Sequence, residues 1–282
     1  MTRVLFSTLA TAIRAADLDP SNTTVWSASG SSTAFAGPCA WSPDGGAVWV
    51  YGGSGGGGYY GAGGTARRYD AAGAFQFNYA SISWAPNCVA YHSSGDLIAG
   101  AGSTIYRFES TSGTITATYT ATIGTGGGVR RLWVVGDVVY YYTNGVGGGQ
   151  IRRYDLVAGQ LSNIISSVTS PKAIDVDLAG RILVTNTSLI TLYDATGSSV
   201  DTFSIGAGHH QAASFDPDGA SMWVAYGQTV QRVVLATGTV SYTTGSLGDN
   251  VQAVHASRAF TVPVASGFRL GSLGFGARGP GF

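Results

Sequence analysis

The apolar positions of this chain come in short runs separated by turn residues. Cys39-Ala40-Trp41 leads through Ser42-Pro43-Asp44-Gly45 into Ala47-Val48-Trp49-Val50-Tyr51. Ala212-Ala213-Ser214-Phe215 leads through Asp216-Pro217-Asp218-Gly219 into Met222-Trp223-Val224-Ala225. Looser copies join Cys88–Tyr91 to Leu97–Ala99, Leu132–Val135 to Val138–Tyr142, and Ala173–Asp177 to Ile182–Val184. Runs this short, rich in β-branched and aromatic residues and bounded by Pro, Asp and Gly, predict strands paired through tight turns.

A second element recurs between these pairs. It reads Ile13–Asp17, Ala66–Asp70, Ile105–Glu109, Ile151–Asp155, Ile190–Asp194 and Val230–Val234. An acid closes every copy except the last, and Gly73, Gly113, Gly159, Gly197 and Gly238 follow five of them. An Asp that bonds nearby backbone, followed by a Gly that accepts positive φ, is hairpin chemistry. Each unit thus holds four short strands, and the turn glycines 45, 95, 136, 180 and 219 repeat them at intervals of about forty residues. The longest interval contains residues 52–64, rich in Gly, read as an insertion between the second and third strands of one unit.

This pattern predicts an all-β chain: a six-bladed β-propeller of four-stranded antiparallel blades. Arg3 to Ser7 looks like a second strand without a first, and Val251 to Ala256 like a first strand without successors. The N- and C-terminal strands are therefore expected to share one blade, which removes exposed sheet edges. The expected organisation is a propeller over 1–257 and an extended Gly-rich tail over 258–282. Arg3 followed by Val4 to Ile13 superficially resembles a secretory leader, but Ser7, Thr8 and Thr11 interrupt the apolar stretch, and the segment reads as part of the closing blade.

Composition narrows the function classes. Of 282 residues 43 are Gly, only 11% are charged, and the 15 bases and 15 acids cancel, so no global field draws nucleic acid or an anionic membrane. Lys172 is the single Lys and Glu109 the single Glu; the remaining bases are Arg and the remaining acids Asp. Loss of the helix formers Lys, Glu and Gln in favour of Gly, Asp, Thr and Ser excludes an all-α fold. No run approaches the roughly 20 apolar residues of a membrane helix. Cys39 and Cys88, without CxxC or neighbouring His, read as small buried hydrophobes, with a single disulfide as the alternative.

Ile182-Leu183-Val184-Thr185-Asn186, Tyr193-Asp194-Ala195-Thr196-Gly197 and Phe215-Asp216-Pro217-Asp218-Gly219 resemble the repeat of YVTN/NHL-type propellers, and Tyr142-Thr143-Asn144 with Tyr154-Asp155 is a partial second match. The resemblance implies the architecture over most of the chain and leaves function open, since propellers host unrelated activities. In such folds the loops from a fourth strand to the next first strand rim the channel. Here these positions are Pro38, Asn87, Arg130 with Arg131, Pro171 with Lys172, His209 with His210, and Asp249 with Asn250. Asn87, Arg130, Lys172, His209, His210 and Asp249 are the ligand candidates of this rim, an ordinary solvated rim being the simpler reading.

Lactonase-type propellers that resemble this fold hold a cation with Glu, Asn and Asp at the channel. Glu109 closes a third strand, away from it, which argues against that chemistry. No metal or other cofactor is expected. Neither a phosphate-binding Gly-Lys-Ser/Thr nor a Gly-x-Ser-x-Gly elbow occurs, so no catalytic residue is assigned. The six Trp occupy different strand types and read as packing rather than as a quinoprotein signature. The Arg-Arg-Tyr-Asp of 67–70 and 152–155 reads as cross-strand ion pairs and stem packing.

The tail carries Phe260, Val262 and Val264 in alternation, a strand pattern, and then apolar residues between glycines. Phe268, Leu270, Leu273, Phe275 and Phe282, with Arg269 and Arg278, are read as anchors that dock on other protein subunits, a tail folded back on its own propeller being the alternative. Few charges and abundant Gly, Ser and Thr point to a non-enzymatic virion component, such as a bacteriophage tail or spike protein. Tyr59 and Tyr60 on the glycine insertion are candidate contacts to a host glycan or protein. Two alternatives stand beside this: a secreted or surface carbohydrate-binding propeller, and a channel-centred lactonase-like enzyme.

Overall fold

The computed structural model describes residues 3–8, 12–17, 23–29, 36–51, 65–80, 86, 88–121, 128–145, 148–168, 171, 173–186, 189–204, 212–247 and 251–256. These residues form 24 strands. The first three are β1 (Arg3–Thr8), β2 (Ala12–Asp17) and β3 (Thr23–Ser29). Five groups of four follow. They are β4 (Ala36–Trp41), β5 (Ala47–Tyr51), β6 (Thr65–Tyr69) and β7 (Phe75–Asn78); then β8 (Cys88–Tyr91), β9 (Leu97–Ala101), β10 (Thr104–Phe108) and β11 (Ile115–Thr120). Next come β12 (Val129–Val135), β13 (Val138–Gly145), β14 (Gly148–Asp155) and β15 (Gln160–Val168). The last two groups are β16 (Ala173–Val176), β17 (Ile182–Thr185), β18 (Ile190–Tyr193), β19 (Ser199–Phe203), and β20 (Ala213–Phe215), β21 (Ser221–Tyr226), β22 (Thr229–Val234), β23 (Val240–Thr243). β24 (Val251–Ala256) ends the described chain.

Each group of four is one antiparallel meander, so five blades are contiguous in sequence. The count of six expected from the repeat does not hold for contiguous blades, because the remaining sheet, in the order β24-β1-β2-β3, draws on both ends of the chain. Its junction pairs Val4 with Ala256, Leu5 with His255 and Phe6 with Val254. Of the segment weighed against a leader, residues 4–8 lie in β1 and residues 12–13 in β2.

The innermost strands β4, β8, β12, β16, β20 and β24 neighbour one another in that order, and β24 also lies beside β4. The core is accordingly divided, with one apolar cluster in each gap between neighbouring sheets. Trp41, Trp49 and Tyr69 fill one gap with Leu5, Ile13 and Trp26; Trp223 and Val230 meet Val4, Val251 and Val254 across another. Because both faces of the inner strands are covered, β8 and β9 are buried at every position, whereas β10 alternates and β11 is mostly exposed. This gradient is why the first two strands of each unit read as continuous apolar runs.

Turn chemistry follows the sequence pattern. Gly45, Gly95, Gly136, Gly180 and Gly219 in the first turns, and Gly73, Gly113, Gly159, Gly197 and Gly238 in the third-to-fourth turns, all have positive φ. The preceding acids bind backbone: Asp70 accepts from the N–H groups of Ala72 and Ala74, each at 2.9 Å, and Asp194 from those of Thr196 at 2.8 Å and Ser198 at 3.0 Å. Glu109 does the same for Ser112 at 3.1 Å and also binds the Thr111 and Ser112 hydroxyls. Cys39 and Cys88 are buried and are not joined in a disulfide.

Gly197 has a second duty. A Cβ there would stand 2.4 Å from the Ile164 carbonyl oxygen of the preceding sheet, so the missing side chain is what lets the turn of one blade rest on the outer strand of the blade before it. Gly227, with φ +57°, has nothing within 4 Å of the same point. Gly227→Ala should therefore cost about 1 kcal/mol of backbone strain alone. Gly197→Ala should cost about 2–4 kcal/mol, since strain and overpacking add. Urea midpoints of the two variants measure the difference, and equal losses would refute the packing role.

Candidate functional site

An antiparallel meander sends its strand ends alternately to two faces. First-to-second and third-to-fourth turns share one face, here the turn face. Second-to-third loops and the connections between blades share the other, the loop face. The β5–β6 connection, which contains Tyr59 and Tyr60, therefore starts and ends on the same face as the blade connections that hold Asn87, Lys172, His209, His210 and Asp249. The six first strands that those connections enter form one ring around the axis.

Asn87, Lys172, His209, His210, Asp249, Tyr59 and Tyr60 themselves lie outside the described residues, as do Phe268, Arg269, Leu270, Leu273, Phe275, Arg278 and Phe282. Arg130 is corrected: with Arg131 it belongs to β12 rather than to the preceding loop. Val129 is buried and donates its N–H to the Gly102 carbonyl at 2.7 Å, which draws the strand start forward. A register shift between Val129 and Arg131 then absorbs Arg130 as an extra residue. Pro38 is likewise inside β4, at a shift between Ala36 and Cys39, the kind of place where a strand tolerates a residue without an N–H.

On the described part of the turn face the charged residues act as clamps. Arg68, buried on β6, donates Nη2 to both carboxylate oxygens of Asp44, at 2.6 and 2.5 Å, and Nη1 to the Tyr69 carbonyl at 2.7 Å. Its guanidinium carbon lies 5.6 Å from the ring centroid of Tyr91 in the next sheet, and Tyr91 shares a 2.8 Å hydroxyl bond with Tyr79. Burial pushes the Tyr91 phenol well above its ordinary pKa, and the Tyr79 phenol upward too, so both remain neutral and one donates to the other.

The clamp recurs with variations. Arg107 binds Asp96 through Nε at 2.8 Å, and Arg232 spans Asp216 at 3.0 Å and Asp218 at 2.7 Å. The same Asp216 oxygen accepts the Trp223 indole N–H at 2.9 Å. Arg181 binds Asp177 at 2.7 Å and crosses to the Gly219 carbonyl of the next sheet at 2.6 Å. His92 also crosses sheets, with Nε2 2.9 Å from Asp137 Oδ1 and Nδ1 2.8 Å from the Ser94 hydroxyl.

The second Arg of Arg67-Arg68 is thus a cross-strand ion pair, whereas Arg152 is held by Gln150 Oε1 at 3.0 Å through Nε. The bridges from His92 and Arg181 to neighbouring sheets were not read from the sequence. The available signal was that His92 stands where other copies place Ser42, Asp177 and Asp216, just before the turn. Among the described residues, no three His, Cys, Asp or Glu side chains converge as a metal cluster.

Asp44 shows the electrostatic balance of a clamp. Partial burial alone would raise its pKa, but hydrogen bonds from Ser42, Arg68 and the Gly46 N–H, with the guanidinium charge, outweigh that and bring it down to about 2. A carboxyl whose pKa falls on folding contributes stability above its unfolded value and loses it as pH drops through the folded one. The Asp44 side chain is 70% exposed, so screening holds the gain to about 1 kcal/mol or less. Wild type should exceed Asp44→Asn in stability by that margin above about pH 4, the unfolded carboxylate range, and the margin should fall away as pH drops through about 2. Urea unfolding at several pH values checks this; a margin independent of pH would contradict it.

Comparison with known proteins supports the architecture and stops there. No protein-family model matches the chain, so the YVTN/NHL resemblance is not matched by a family model, and no curated protein matches either. Among solved structures, a chain from a crystal structure of a nidogen/laminin complex is 12% identical, with a TM-score of 0.69 over 92% of this chain and 99% of that one. A protein of unknown function from Bacteroides caccae is 13% identical, with a TM-score of 0.68 over 91% of this chain and 99% of that one. At such identities the likeness shows the fold alone: an all-β propeller of four-stranded antiparallel blades.

Proposed function

We propose that this chain is a non-enzymatic structural and binding propeller. In this reading the composite sheet counts as a sixth blade, and the repeat is YVTN-like. The molecule is a virion component, of the bacteriophage tail or spike kind, fastened to its assembly through residues 258–282. Its loop face is turned toward a host glycan or protein.

The observation that supports this reading is the polarity of the chain. β24 ends at Ala256 and β1 begins at Arg3 on the turn face, at the place where other blades close a first-to-second turn. The Gly-rich β5–β6 connection and the blade connections end on the opposite face. In this reading the turn face is the exit for an attachment segment, and the loop face is left for recognition. The charged groups described on the turn face are spent on clamps within and between blades, which suits a rigid mount better than a reaction centre.

A version ending at Ala256, compared with the full chain by light scattering and by pull-down from the source material, tests the proposal. The truncated protein is expected to stay folded but to lose those partners that mass spectrometry identifies as particle components. Unfolding on truncation, or retention of every partner, would overturn it and move attention to the channel rim, to sugar binding or to catalysis.

A further inference from the structure

Sheet edges differ around the ring. In five of the six sheets the fourth strand carries a register shift beside the turn end of its partner, between Ala15 and Ala16, Arg68 and Tyr69, Arg107 and Phe108, Leu192 and Tyr193, or Arg232 and Val233. A bulge there twists the outer strand and spoils its free edge as a template for another chain. β15 departs from the rule. Arg152 to Asp155 pair with Asn163 to Gln160 without a shift, and the irregularities fall further along, around Ile151. At nine residues β15 is also the longest outer strand, and its sequence QLSNIISSV contains neither charge, Pro nor Gly.

Among the described residues the free edge is limited and defined. Gly197 of the next sheet closes on the Ile164 carbonyl, so the open stretch is Gln160 to Asn163. Apolar surface lies beside it, with Leu161 37% exposed and Val157, in the adjoining turn, 79% exposed.

We infer that β15 is the docking edge for residues Phe260–Val264 of a second copy of this chain, which add there as a further strand. Phe260, Val262 and Val264 alternate as a half-buried strand requires. If the backbone groups of those three residues pair with β15, the missing N–H of Pro263 falls on the opposite edge, where it stops any further addition.

The same copy cannot supply the segment. β12, the inner strand of this sheet, stands three places around the ring from β24. Three strand spacings from β12 to β15 and at least one sheet-packing distance across the channel amount to about 24 Å. The four residues from Ala256 to Phe260 span at most about 14 Å. Such a contact closes a two-fold dimer if two copies exchange tails and generates a ring or a filament if each tail passes to a further copy.

This inference rests on the proposed role of the tail as a docking arm and names its first partner. The test mixes full-length chains carrying Leu161→Cys with full-length chains carrying Val262→Cys, under oxidation, and measures the two-chain product on a non-reducing gel. Val200→Cys, on the bulged edge of β19, replaces Leu161→Cys in the control. At least fivefold more product than the control is expected. Leu161→Lys, which leaves a surface side chain exposed, should lower the light-scattering mass of the full chain at high concentration with an unchanged circular dichroism spectrum. Trapping at the control level, or a full chain that stays monomeric at about 100 μM, overturns the inference. If the tail then still carries particle components in the truncation comparison, the attachment reading stands without it.

Discussion

Five residue pairs between β1 and β24 hold the two ends of the chain together, and the ring depends on them. Each sheet buries its two faces only because a neighbour stands on either side. Opening this one junction would uncover the gap of Leu5, Ile13 and Trp26 against Trp41 and Trp49, together with that of Val4, Val251 and Val254 against Trp223. The entropic cost of so distant a pairing grows only logarithmically with the intervening length. Two interfaces of large apolar side chains outweigh it. The same nonlocality makes slow, late closure the physical expectation for folding.

The skewed use of charged residues has its cause at the turn face. A hairpin turn needs an acceptor close to the backbone N–H groups two to four residues ahead. Asp44, Asp70, Asp155, Asp177, Asp194 and Asp218 serve in that way. A longer Glu fits poorly at such a turn, and the single Glu109 engages two hydroxyls besides its backbone contact. On the basic side, Arg68, Arg181 and Arg232 each bind two or more groups at once, which a planar fork does and an ammonium does not. A low content of charge therefore goes with an intensive use of each charge.

The two faces also separate two kinds of chemistry. On the turn face, acids, arginines and glycines lock adjoining blades, with His92 to Asp137 and Arg181 to Gly219 as direct staples. The loop face collects connections that vary in length and composition, the β5–β6 segment above all. A rigid turn face beneath variable loops is the usual division of labour in folds that carry recognition on their connections.

The sequence by itself determined the strands, their grouping in fours, the positive-φ glycines, and the closing of one sheet by both ends. The first three are local, a run of apolar residues, an Asp before a Gly, a fixed interval; the closing follows from the strands left over at the two ends of that interval. It also carried the burial of Cys39 and Cys88, small residues in continuous apolar runs, and the ion-pairing role of the Arg-Arg-Tyr-Asp segment that Arg68 fills. Tertiary structure alone decided what depends on register and on contacts between blades. Arg130 lies in a strand because burial of Val129 and a bulge reset the start of β12, and a bulge has no signature in a stretch of such varied residues. The staple from His92 to Asp137 joins residues 45 positions apart, and Gly197 needs its bare Cα because of Ile164 in another sheet. Periodicity reports what a strand does to its own residues. Which strand stands beside it, and at what offset, is settled only when the sheets pack.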